Sequence, residues 1–260
     1  MKRVLLILID GCIPRLLLYK GNNLVKYGTK NFATYKSSVD IPLSASSWAS
    51  CLSGLHYNRT GIENNGFTGK NFLKSDNNLE NNNEKKIYYH LKENNLRSVL
   101  ISTGKWNGLH KLGSYNNALN NRDNIYINLE KEYESEKEGI NICKDYINNE
   151  EYDFITYYSH TIDSNGHKYG FGFNKHYEDS IVNTDKNINK LLKLIEKREK
   201  ENNEEWLVLI TTDHGGSNRE TLNKTNEGLQ IIKEFDCDCH CHFGKGLSQK
   251  QLLGFHGLRN

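Results

Sequence analysis

No stretch of this chain approaches the ~20 consecutive apolar residues needed to cross a bilayer as a helix, which argues against a membrane span. Proline is scarce, with only Pro14 and Pro42, and no Pro- or Ser-rich linker or internal repeat divides the 260 residues. One domain is therefore the economical expectation. An excess of charge of either sign is also missing. Charged residues make up 25% of the chain but leave a formal net charge of +2, so no global field exists to attract nucleic acid or acidic membranes. The N-terminus, MKRVLLILIDG, lacks the parts of a signal peptide. Its apolar run from Val4 to Ile9 stops at Asp10 and no small-residue cleavage site follows. A buried first strand and a cytoplasmic location are expected. Among six cysteines, Cys12, Cys51 and Cys143 are scattered through apolar segments, as structural thiols of a reduced chain would be.

Four short apolar runs predict strands: Arg3–Ile9, Arg97–Ser102, Asp153–Tyr158 and Trp206–Thr212. Their lack of alternation suits strands covered on both faces, hence a parallel sheet. Helical patterns lie between them, at Lys85–Asn94, Tyr133–Asn149 and Asn174–Lys200. The last places Ile181, Ile188, Leu191, Leu192 and Ile195 on one face. This order predicts an α/β doubly wound sheet with helices on both faces, as one domain over 1–260 with an irregular insertion at about 217–253.

Three of these strands run into the same chemistry. VLLILI ends in Asp10-Gly11, DFITYYS in His160-Thr161-Ile162-Asp163, and LVLITT in Asp213-His214-Gly215-Gly216. Carboxyl ends of parallel strands line one edge, where ligands bind, so these acids and imidazoles should converge. A buried Asp or His costs desolvation unless something binds it, and this donor mixture suits divalent cations, zinc foremost. IDSNGHKYG adds Asp163 and His167, four apart, with Gly166 pointing to a loop rather than a helix. PLSASSWASCLSG offers a nucleophile in Ser44, ahead of a short helix ending at Gly54. Ser44 or Ser46 would serve equally as its N-cap. A hydroxyl there also lies beside backbone N–H groups that bind phosphate oxygens, and a nearby metal would lower its pKa.

Taken in order, ILIDG, SASSWASCLSG with HYNRTGIENNGFTGKNF, HTIDSNGHKYG, ITTDHGG and GFHG resemble the motifs of the alkaline phosphatase superfamily. The set is most similar to the type I phosphodiesterase/nucleotide pyrophosphatase branch and spans Asp10 to His256. The resemblance implies one metal held by Asp10, Asp213, His214 and the nucleophile Ser44, and another held by Asp163, His167 and His256. Two zinc ions about 3.5–4 Å apart would clamp the attacking and leaving oxygens, with a phosphoseryl intermediate on Ser44. The small substrate would be a phosphodiester or nucleotide-like molecule, with no nucleic-acid partner.

The chain departs from the pattern in places. Ala45-Ser46-Ser47 replaces the family's usual residues, so Ser47 stands where an asparagine holds phosphate, and Asn65 is the compensating amide. No arginine flanks Ser44; a bidentate guanidinium favours dianionic monoesters, so its absence leans toward diesters. The sulfatase pattern, with its proline and arginine, is missing. A phosphomonoesterase or phosphomutase on the same scaffold, or a degenerate member that binds phosphorylated ligands, are the alternatives. Lys105-Trp106 could wall the pocket or belong to the core. In FDCDCHCHFG, the spacing of Cys237, Cys239 and Cys241 departs from the Cys-x(2–4)-Cys of structural zinc sites; His256, followed by Gly257 as the family's final ligand histidine is, is the last ligand that the resemblance implies, rather than His240 or His242.

Overall fold

The computed structural model describes residues 1–13, 43–56, 87–104, 123–129, 132–149, 151–172 and 174–216, with residues 16, 23, 60, 62, 65 and 109 besides. Lys105, Trp106, the 217–253 insertion with its Cys-His cluster, and His256 lie outside them.

Among the described residues five strands, β1 (Lys2–Ile9), β2 (Ser98–Thr103), β3 (Asn124–Leu129), β4 (Phe154–Ser159) and β5 (Glu205–Thr212), form one sheet in the order β3-β2-β4-β1-β5. Every pairing is parallel. The helices are α1 (Ser44–Ser53), α2 (Ile87–Glu93), α3 (Glu132–Asn148), α4 (Thr161–Tyr169) and α5 (Lys175–Asn202).

The expected two-sided covering holds for the central strands. Leu5, Ile7 and Ile9 of β1 pack with Ile140, Ile181, Ile188 and Leu191 of α3 and α5. Leu6 and Leu8, on the other face, pack with Ala45, Trp48 and Leu52 of α1 and Tyr88 of α2. Each buried Ile or Leu contributes about 1.5–3 kcal/mol, so the apolar stripe of α5 outweighs any propensity differences along its length.

Both edges depart from expectation. β3 was not legible as a strand, because Asn124 and Asn128 interrupt its apolar run and most of its residues are only half-buried. Among the described residues β5 lies at the edge of the sheet rather than inside it, with Leu207 and Leu209 exposed.

The strand order also locates the site. The chain leaves β1 for β2, passing β4, and leaves β4 for β5, passing β1. Connections from the two adjacent strands β1 and β4 thus run in opposite directions, which opens a crevice beyond their carboxyl ends. Register makes those ends level: Ile9 pairs with both Ser159 and Thr212. Asp10, His160 and Asp213 therefore emerge side by side. Tyr177 of α5 fastens the turn after β1, donating to the Gly11 carbonyl at 2.6 Å and accepting from the Ile13 N–H at 3.1 Å.

Candidate active site

Ser44 is the first residue of α1 and does not cap it. The cap position falls to Leu43, with no side-chain cap bond. The Ser44 hydroxyl turns instead to the crevice, with Oγ 3.0 Å from His214 Nε2 and 3.4 Å from Asp10 Oδ1. His214 Nε2 in turn lies 3.5 Å from Asp10 Oδ1 and 3.3 Å from Asp213 Oδ2. Ser44, Asp10 and His214 thus form a triangle of donor atoms from three distant segments, with Asp213 against His214. Donors at ~2.0–2.2 Å from a tetrahedral zinc stand about 3.3–3.5 Å apart, and the contacts of Asp10 Oδ1 with Ser44 and His214 and of His214 Nε2 with Asp213 are spaced in that way.

Surrounding bonds fix how these donors face. The His214 Nδ1 meets the Gly215 carbonyl at 2.5 Å, so that nitrogen carries the hydrogen and Nε2 is the ligating atom. Trp48 Nε1 donates to Asp10 Oδ2 at 3.2 Å, and the Tyr158 hydroxyl donates to the same oxygen. Asp10 Oδ1 is left for Ser44 and His214. Burial, then the charge of Asp10, pushes the Tyr158 phenol well above its ordinary range, so it stays a donor. Trp48 and Tyr158 were not singled out in the sequence. The available signal was spacing: Trp48 is one helical turn beyond Ser44.

The second set is built on α4. Gly166 suggested a loop over residues 163–167, but Thr161–Tyr169 is a helix. The glycine has another purpose. A Cβ there would fall 2.2 Å from the Phe171 ring, and one at Gly216 would fall 2.1 Å from it. Both glycines make room for Phe171, whose ring meets His167 edge-on at 5.3 Å between centroids. At the end of β5, it is Gly216 that the Phe171 ring requires to be a glycine. On the helix, Asp163 and His167 do share a face, with His167 Nε2 3.3 Å from Asp163 Oδ2. Gly11, at φ +64°, admits Asp163 to the turn after β1, since a Cβ there would lie 2.5 Å from Asp163 Oδ1.

Asp10, Asp163 and His214 offer ligand atoms within 4.8 Å of one another, with Asp213 alongside. Buried carboxylates gathered in this way repel, and Asp213 records it. Burial and then the charge of Asp10 push the Asp213 carboxyl well above its usual range. Burial acts to lower the His214 imidazole, but Asp213, Asp10 and Asp163 outweigh it and hold its pKa up at about 9. Asp163 goes the other way. Burial would raise it, yet the imidazoles of His160 and His167 hold it well below the carboxylate range. Asp213 Oδ2 and Asp163 Oδ1 are buried and accept no hydrogen bond among the described residues. A donor set with orphaned carboxylate oxygens fits a divalent cation, which would supply the missing positive charge.

A testable consequence concerns pH. Metal binding must displace the proton of His214, so affinity should rise about tenfold per pH unit for each proton released, up to pH about 9. The metal-free protein should behave oppositely. A raised imidazole pKa stabilises the fold fully below the unfolded value of about 6.5, and that stability is lost as pH rises through about 9. Chelator competition and metal-free melting curves from pH 6 to 9 would read both trends; affinity that ignores pH would contradict the assignment of His214.

Of the remaining expected residues, Asn65 lies at the start of α1, where its Oδ1 accepts from the Ala45 N–H at 2.9 Å. That N–H, one of those offered for phosphate, is thereby occupied. Ser47 sits one turn along from Ser44 and its buried hydroxyl has no hydrogen-bond partner among the described residues. No helix among the described residues is long and apolar enough to cross a membrane.

The model of the family described as type I phosphodiesterase / nucleotide pyrophosphatase matches residues 4–235. Among solved structures, human ectonucleotide pyrophosphatase / phosphodiesterase 5 is similar with a TM-score of 0.59 at 17% identity, over 82% of this chain and 57% of that one. The murine protein, in an inactive form in complex with AMP, gives a TM-score of 0.56 at 16% identity, over 85% and 59%. These likenesses are of fold, and the chain spans less than two thirds of either molecule. No curated protein matches the sequence.

Proposed function

The chain belongs to the type I phosphodiesterase/nucleotide pyrophosphatase family, and on that premise we propose that it is a two-metal phosphodiesterase acting through a phosphoserine on Ser44. The observation that carries this reading is the Ser44 hydroxyl, turned away from its own helix end toward His214 and Asp10.

Two divalent cations, zinc by the mixture of carboxylates and imidazoles, would activate the serine hydroxyl and the hydrolytic water and balance charge on the transferring phosphoryl group. Asp10, Asp213 and His214 would hold the first beside Ser44, and Asp163, His167 and His256 would hold the second. Ser44 Oγ attacks phosphorus in line with the departing alcohol or nucleotide, giving a phosphoseryl ester. Water then attacks that ester and frees Ser44. Asn65, anchored through Oδ1 on Ala45, presents its Nδ2–H to a non-bridging oxygen, and the Ser47 hydroxyl is a second donor along α1. No lysine or arginine occurs in α1, so the nucleophile has no helix-borne cation to pair with a dianionic monoester. A diester or nucleotide-like anion, with less charge, is the better match.

Purified protein should contain about two metals per chain and cleave a bis-aryl phosphodiester faster than an aryl phosphomonoester. A chelator should abolish turnover and zinc restore it. Preference for the monoester would move the reading to a phosphatase or phosphomutase, and metal-free protein after zinc loading would leave only a ligand-binding role. His256→Ala should weaken retention of one metal and spare the other, while Cys237, Cys239 and Cys241 replaced by serine should change neither. The reverse pattern would move the ligand to His240 or His242.

A further inference from the structure

We propose that Phe171 is a positioning residue that fixes the separation of the two metal-ligand sets, because one edge of its ring is held against both the α4 backbone and the turn after β5. The inference rests on the two-metal reading above and names what keeps the two sets in step. A Cβ at Gly166 would collide with Cε1 and Cδ1 of the ring, and a Cβ at Gly216 would collide with the same two atoms. Gly166 directly precedes His167 and follows Asp163 by three residues, while Gly216 follows His214 by two. The two backbones that carry these ligands therefore close on one edge. An aromatic ring has no internal torsion to give way, so its width sets how near they come.

The first set is tied to the same ring at a second point. Phe171 meets Tyr177 at 5.5 Å between centroids and 60° between planes. The Tyr177 hydroxyl bonds to the Gly11 carbonyl and the Ile13 N–H, and so fastens the turn after Asp10. On the second set, the ring meets His167 edge-on at 5.3 Å. That contact gives a bearing to an imidazole whose side chain is 73% exposed. Phe171 is itself half-buried against the core that includes Tyr177 and Ile181, which makes it a fixed spacer. A two-metal site depends on a separation of about 3.5–4 Å, and a shift of ~1 Å in catalytic geometry costs about a hundredfold in rate.

The test uses the full chain, loaded with manganese(II) for spectroscopy and with zinc for turnover. Wild type holding two manganese ions should give an exchange-coupled electron paramagnetic resonance spectrum. Phe171→Ala should still bind two ions at saturating metal, but with weakened coupling. Its kcat for a bis-aryl phosphodiester should fall about a hundredfold, with KM changed far less. Phe171→Leu separates positioning from packing, since it restores apolar bulk without a rigid edge. It should melt near wild type, yet show the weakened coupling and lose at least about tenfold in kcat. Phe171→Leu with wild-type coupling and kcat would overturn the positioning role and leave the two-metal reading standing. Wild-type protein that binds fewer than two ions, or two that do not couple, would overturn both.

Discussion

Ser44→Ala should lower turnover at least about a thousandfold, since it removes the covalent route rather than a binding contact. Stability should barely change. The Ser44 hydroxyl caps nothing, so the ~1 kcal/mol that a lost serine cap costs is not at stake. Metal content should stay near wild type, because Asp10, Asp213 and His214 remain. Labelled substrate should leave no label on the variant. More than about a tenth of wild-type activity would shift the nucleophile to Ser47, whose hydroxyl has no hydrogen-bond partner among the described residues. Ser46 is the weaker substitute, as its hydroxyl donates to the Leu43 carbonyl at 3.1 Å.

Asp213→Asn and His167→Ala should fail at different steps. Asp213 belongs to the set beside Ser44, so its loss should prevent labelling of the serine. His167 belongs to the second set, so its variant should become labelled and then stall, with hydrolysis slowed about a hundredfold or more. Equal loss of labelling in both would contradict the division. Asp213→Asn carries a further signature. In the metal-free protein its carboxyl is held well above the usual range by burial and Asp10, which makes the ionised form a cost at neutral pH. Asparagine removes that cost and keeps an oxygen for the Gly11 and His214 N–H groups that now donate to Oδ1. Metal-free Asp213→Asn should melt no lower than wild type, and metal-loaded protein should melt lower. Stability and function are opposed at this position, as at many sites where like charges are gathered.

The acids at strand ends were readable because an apolar run that stops abruptly at Asp10 or Asp213 admits few explanations, and parallel strands all end at one edge. The α5 stripe was readable for a similar reason, since spacing alone identifies a buried face. Gly166 misled because a glycine in a polar segment reads as a breaker, while its reason, the Phe171 ring, comes from five residues away on a different path of the chain. β3 was hidden by two asparagines that an edge strand tolerates and a central one does not.

Sequence by itself determined the doubly wound class, most of the approximate strands and helices, and the acids at the strand ends that border the crevice, because periodicity and motif order are local properties of the chain. Tertiary structure decided the rest. It alone set the strand order that puts β1 and β4 side by side at the switch point, and the edge position of β5. It turned Ser44 away from capping, gave Asp10 its donors in Trp48 and Tyr158, and brought the Phe171 ring against Gly166 and Gly216 alike. Those outcomes depend on distances between segments up to about two hundred residues apart, and only the closed packing of the sheet with its two helical layers sets such distances.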